Sequence, residues 1–154
     1  MKTPPPRPPQ EQSIHTTRLH VQPDDMIRGF HVHYSVYLRY LEAAAVEHMD
    51  ALGATINDLL ARYQAGFVVR HADIEYLAPA MSGDDLDVRT WIESVQGVRL
   101  TRWTDIYNAG TGHKLLVARV EWIWCDTTHR PRRIPAEVHA RLLPTPVASS
   151  SATP

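Results

Sequence analysis

The sequence is short of most features that would narrow its role at once. Cysteine occurs once, at Cys125. A single thiol excludes an intramolecular disulfide and fits a reducing compartment, so a cytoplasmic location is expected. No apolar run approaches the ~20 residues that a membrane helix needs, and the first residues lack the apolar core of an export signal. Neither sign of charge dominates: formal net charge is −1 with 21% of residues charged. Electrostatics therefore demand no polyanion, and neither nucleic acid nor membrane is expected as a partner. The histidines fall into no zinc spacing, and no metal is expected. Cys125 has no basic neighbour close in sequence, which reads as a packed thiol rather than a nucleophile.

What is present reads as one domain between two tails. With 154 residues the chain is large enough for a real core. Residues 1–14 carry Pro4, Pro5, Pro6, Pro8 and Pro9 and read as a disordered, extended tail. Residues 143–154, a Pro-Thr-Pro and Ser/Ala run, read the same way. The working domain is 15–142.

Within it the apolar periodicity changes from two to about 3.6 and back. Thr16 to Gln22 alternates as a short strand ending at Pro23. From Val36 the positions Tyr37, Tyr40, Leu41, Ala44, His48, Ala51 and Leu52 make one face of a long helix, with Ser35 as its cap and Gly53 at its end. Asn57 to Tyr63 reads as a shorter helix. Val68, Ala72, Ile74 and Tyr76 then alternate with His71, Asp73 and Glu75 as a strand. Leu86 to Glu93, Val98 to Tyr107 and Leu115 to Trp124 follow as three strands joined by short turns, hence antiparallel neighbours. One long helix on a twisted antiparallel sheet is an α+β arrangement.

The chemistry concentrates where a polar loop runs into that helix, Gly29-Phe30-His31-Val32-His33-Tyr34-Ser35-Val36-Tyr37-Leu38-Arg39-Tyr40-Leu41-Glu42. Such a junction aims free N–H groups and the positive end of the helix dipole at whatever lies in front, a place to stabilise an oxyanion. Asp24 and Asp25 stand just upstream. The segment resembles the loop and helix start of acyl-CoA thioesterases of the 4-hydroxybenzoyl-CoA thioesterase type, which run Asp-Thr-Asp, a few variable residues, Gly-His-Val-Asn-Asn, then Tyr-Leu-x-Tyr-x-Glu. Ile74-Glu75-Tyr76-Leu77-Ala78-Pro79-Ala80 with Gly83-Asp84-Asp85-Leu86, and Thr128-His129-Arg130-Pro131 with Ile134-Pro135-Ala136-Glu137-Val138, are similar to later segments of that family.

The resemblance implies the hotdog fold, five antiparallel strands wrapped around one central helix, and hydrolysis of an acyl-CoA or acyl-carrier-protein thioester to free acid and thiol. It implies no cofactor, coenzyme A entering as part of the substrate, and a homodimer or homotetramer. It places the carbonyl at the backbone N–H of Tyr34. Beside it, Asp25 and His31 read as the other catalytic residues, the histidine able to position or deprotonate water. His33, Tyr37, Glu42, Arg130 and Arg132 read as residues around the substrate, the arginines suited to coenzyme A phosphates. The chain departs from the pattern at one position: alignment on His31-Val32 puts Asp25 on the first acid and Ile27 on the second, the usual nucleophile or base. A non-catalytic hotdog module that binds acyl thioesters or a partner subunit is therefore the alternative, and a hotdog hydratase ranks third. The tryptophans Trp91, Trp103, Trp122 and Trp124 offer either core or an aromatic acyl pocket.

Overall fold

A computed structural model describes residues 13–144; the two expected tails lie almost wholly outside the described residues. The first strand, β1 (His15–His20), stops short of Pro23, whose missing N–H cannot join a ladder, and Pro23–Asp25 forms a single 3-10 turn. Two very short strands follow, β2 (Met26–Ile27) and β3 (His31–Val32), paired as a hairpin that alternation could not reveal at this length. Then come α1 (Val36–Ala51), α2 (Ile56–Tyr63), β4 (Ala65–Tyr76), β5 (Asp85–Gln96), β6 (Arg99–Asn108), β7 (Lys114–Asp126) and α3 (Ala136–Leu142). The five long strands form one sheet in the order β1-β5-β6-β7-β4, antiparallel throughout. With α1 across one face, this is the expected hotdog.

Helix α1 turns Val36, Tyr37, Tyr40, Leu41, Ala44, Ala45, His48 and Met49 to the core. Ala51, expected on that face, is exposed; the stripe drifts around the last turn, and Met49 occupies the core there. Gly53 ends the segment as expected, at φ +70, a conformation glycine adopts without steric cost. Ser35 does not cap α1 with its side chain. Its hydroxyl is engaged instead with His33. Helix α2 is capped by Thr55, whose Oγ1 accepts the Asp58 N–H at 3.2 Å.

The helix packs over β1 and β5, so the helix-facing side of β4 and β7 is left partly open. A bulge at Arg70 interrupts the β4–β7 register between Val69 and His71. It shifts the alternation by one, so Val69, in line with Trp122 and Leu100, faces the helix. Val68, expected on that face, turns away. Beneath α1 two apolar clusters meet: Val21, Leu41, Leu86 and Ile106 towards its start, Met49, Leu100, Trp124 and Val138 towards its end. Trp91 and Trp103 stack on the opposite face of the sheet, 6.2 Å between centroids, with Val117 and Ile14. They do not line a pocket beneath the helix.

Candidate active site

The loop before α1 is held by backbone bonds at each step. Phe30 N–H donates to Ile27 O at 2.8 Å, closing a turn in which Arg28 and Gly29 both have positive φ, 45 and 71; this mirror-image turn suits a right-twisted hairpin. Val32 N–H then donates to Ala80 O, and Ala80 N–H to the Tyr37 hydroxyl, 2.9 Å away. The hairpin is thereby pinned to the segment after β4. His33 N–H donates to Asp25 O at 2.9 Å.

The two histidines are set in opposite tautomers. His31 Nδ1 lies 2.9 Å from Val32 O; a carbonyl only accepts, so Nδ1 carries the proton and Nε2 keeps a lone pair. His33 Nδ1 receives the Ser35 N–H at 3.2 Å and the Ser35 hydroxyl at 2.6 Å, so its proton sits on Nε2. His33 thus holds the N–H and hydroxyl of Ser35, and its ring stacks on Tyr34 with centroids 4.5 Å apart. Tyr34 O accepts the Tyr76 hydroxyl at 3.3 Å. Among the described residues nothing accepts the Tyr34 N–H.

Asp25 is buried beneath this loop. Its carboxylate takes the Gln22 N–H at 3.0 Å, the Tyr40 hydroxyl at 2.8 Å and Arg39 Nη2 at 2.9 Å. Burial alone would raise its pKa; the bonds from Gln22 and Tyr40 and the charge of Arg39 outweigh that and hold it below the ordinary carboxylate value. Burial and the Asp25 carboxylate push the Tyr40 hydroxyl upward, which keeps it a donor. Arg39 and Tyr40 read as helix surface and helix core in the sequence, and only the fold shows both gripping one acid. Ile27 stands opposite His31 in the β2–β3 ladder, so the position of the usual acid faces the histidine with a hydrocarbon.

A groove of about 300 Å³ opens in front of the helix start, lined by His31, Tyr34, Tyr37, Tyr76, Leu77 and Pro79. It brings together three of the expected site residues and adds Tyr76, which the sequence marked only as strand. Further along α1, between helix and β4, a second groove holds Glu42 with Leu38, Val69 and Trp122. Of the four tryptophans, Trp122 alone lines these cavities. Arg130 and Arg132 lie elsewhere. Both attach to Asp126, the last residue of β7, Arg130 through its backbone N–H at 3.0 Å and Arg132 through Nε at 2.9 Å. Asp126 pairs with Ala65 in the ladder, while Tyr76 closes the other end of β4. Within one chain the arginines and the Tyr34 groove are therefore at opposite ends of the sheet.

Comparison with known proteins agrees with this fold. Residues 21–142 match the profile of the thioesterase-like superfamily. The chain is 27% identical over 127 residues to the chloroplastic acyl-acyl carrier protein thioesterase ATL2 of Arabidopsis thaliana, covering 82% of this chain and 67% of that protein. It is 33% identical over 86 residues to the acyl-CoA thioester hydrolase YbgC of Shigella flexneri, 56% of this chain and 63% of the relative. It thus spans about two thirds of the length of these relatives. A probable thioesterase from Bartonella henselae superposes with a TM-score of 0.74 at 26% identity, over 79% of this chain and 99% of that one. The 1,4-dihydroxy-2-naphthoyl-CoA thioesterase Slr0204 from Synechocystis shares the fold, with a TM-score of 0.77 at 18% identity over 84% of this chain and 95% of that one.

Proposed function

Since the chain belongs to the thioesterase-like superfamily, we propose that it hydrolyses the thioester of an acyl-CoA or acyl-carrier-protein substrate, with the carbonyl polarised at the start of α1. The observation that carries this reading is the unpaired Tyr34 N–H at the head of a groove that also holds His31. The carbonyl oxygen accepts that N–H, aided by the helix dipole. Water attacks the carbonyl carbon while its proton passes to His31 Nε2, whose lone pair the Nδ1–Val32 bond leaves free. The oxyanion of the tetrahedral intermediate sits on Tyr34 N–H. Collapse breaks the carbon–sulfur bond, and the thiolate departs without prior protonation because a thiolate is a weak enough base; the proton on His31 then passes to solvent. Asp25, spent on Gln22, Tyr40 and Arg39, holds the loop in place. His33 Nε2–H and the Tyr37 ring position the substrate. No cofactor takes part, coenzyme A being the leaving group.

The assembly proposed for this site is a homodimer, or a dimer of dimers. The outer edge of β4 is unpaired among the described residues, and the groove between α1 and β4 lacks one wall. Antiparallel pairing of two β4 edges would set the Ala65 end of one against the Tyr76 end of the other. Arg130 and Arg132 would then meet the groove of the second copy and grip coenzyme A phosphates there. No helix among the described residues is long and apolar enough to cross a membrane, and a cytoplasmic location suits both the substrate and the free thiol of Cys125.

Thiol release from a panel of acyl-CoA esters tests the reading. Steady turnover is expected, falling roughly 10²–10⁴-fold in His31→Ala and little in Tyr34→Phe, since the backbone of Tyr34 acts and not its ring. Tight binding of the esters without thiol release would establish the binding module instead.

A further inference from the structure

The reaction above has no use for one buried charge. Arg102, on β6, is 3% exposed and lies under α1. Both of its hydrogen bonds leave from Nη1, to His48 Nδ1 at 2.8 Å and to Thr90 Oγ1 at 3.2 Å. Neither acceptor is an anion. Burial, then the charges of Arg102 and His15, lower the pKa of His48 to about 3, so its ring is neutral. Burial also lowers Arg102 to about 10, which leaves it a cation at neutral pH. No carboxylate among the described residues pairs with it. A buried guanidinium without a counter-charge is costly.

Arg102 lines two adjoining cavities. One, of about 140 Å³, is walled by Met49, Leu59, Phe67 and Leu100; the other, of about 300 Å³, by Leu38, Leu41, Val69 and Val120. Ala45 and Trp122 belong to both. The indole Nε1–H of Trp122 is itself buried without an acceptor among the described residues. Apart from Glu42 and Thr104, which also line the second cavity, these two donors stand among hydrocarbon walls. With the Tyr34 groove, the cavities follow β4 in order, from Tyr76 past Ala72 and Val69 to Phe67. At about 1.5 Å of rise per residue, Ala45 and His48 lie roughly 14–18 Å along α1 from Val36. That is the reach of an extended chain of about twelve carbons.

We propose, building on the thioesterase reading, that the acyl group this enzyme takes ends in a carboxylate, paired with the Arg102 guanidinium and served by the Trp122 indole N–H. A hydrocarbon terminus would leave both donors stranded. A ketone or hydroxyl would satisfy a donor and leave the charge.

The test compares dodecanedioyl-CoA, the monothioester with a free far carboxylate, with dodecanoyl-CoA. In wild type, kcat/KM is expected to favour the diacid about 10–100-fold, the range for a hydrogen bond to a charged group. Arg102→Met should abolish the preference while still cleaving dodecanoyl-CoA; Arg102→Lys and Trp122→Phe should each reduce it. Equal kcat/KM in wild type, or an unchanged ratio in Arg102→Met, overturns the proposal. So does an unchanged ratio accompanied by weaker dimerisation, which would assign the missing counter-charge to a second copy. If neither ester is cleaved, the thioesterase reading fails by itself. Calorimetric Kd values for the two esters then decide the pairing by the same ratio. Should Arg102→Met not fold, Arg102→Lys and Trp122→Phe carry the comparison.

Discussion

Asp25 and Ile27 stand two positions apart and were drawn to different fates. Alignment on His31-Val32 set both ahead of α1, and in the structure Asp25 closes the 3-10 turn while Ile27 ends β2. Sequence could not show that Asp25 turns under the loop to Tyr40 and Arg39, since those contacts depend on how the Pro23–Asp25 turn meets the helix. The tautomers of His31 and His33 were equally out of reach, being set by which neighbour each Nδ1 meets. Ile27→Asp would put a carboxylate across the ladder from His31. Turnover should rise by a measurable factor, read as kcat in thiol-release assays, and most where His31 has been removed. Asp25→Asn should instead act on stability, lowering it at pH 7 by about 1–3 kcal/mol, the usual worth of hydrogen bonds to a charged group. Because the folded-state pKa lies below the unfolded value, that contribution is present above the unfolded pKa and is lost as pH falls through the folded one. The gap in Tm between wild type and Asp25→Asn should therefore close below about pH 4. A gap of constant size down to pH 2 would mean that the loss is one of shape and not of charge.

At the scale of elements, the long periodic pieces were legible and the short ones were not. α1 and the five strands of the sheet announce themselves because many residues repeat one choice, and terminators such as Pro23 and Gly53 bound them. The β2–β3 hairpin offers two residues a side, too few for a period. The bulge at Arg70 inserts one residue where the sequence carries no glycine or proline to mark it, and this is why Val68 was assigned to the wrong face. His48 was legible as core, but its consequence needed Arg102 on the facing strand. Burial and Arg102 keep it neutral with a pKa of about 3, whereas an unfolded histidine takes up a proton near 6.5. Below that pH the unfolded state binds the extra proton, so stability should fall by up to about 1.4 kcal/mol per unit between pH 6.5 and 3. His48→Gln, which can still accept from Arg102, should flatten that slope in denaturant melts; an unaltered slope would assign the acid sensitivity to other groups.

The whole molecule offers β4 as a strand of twelve residues, paired on one side only among the described residues, with Val69 and Tyr76 about half exposed. An edge that long, apolar along Phe67, Val68 and Val69, is a liability unless covered. Composition could not announce it, because apolar strand residues look alike whether the sheet or a second copy buries them. Light scattering at micromolar concentration should give a dimer or larger. If the arginines after β7 serve a neighbour's groove, mixing inactive His31→Ala with an Arg130→Ala, Arg132→Ala double variant should restore thiol release, since one site of each mixed dimer carries neither defect. No recovery after subunit exchange would confine the site to a single chain.

The strand order carries a further consequence, for the time course of folding. β5, β6 and β7 follow one another through short turns, and their contacts can close almost as soon as the chain exists. β1 does not: His20 must find Asp85 across 65 residues. Closing so long a loop is slow and entropically costly, so the segment made first joins the sheet last. The loop that positions His31 and Tyr34 is threaded between these events, tied to β1 on one side and to Ala80 on the other. The meander should gain protection from hydrogen exchange early in refolding, and β1 together with the α1 start should gain it late. The junction before α1 would then be the last part of the molecule to acquire its shape and the first to give it up.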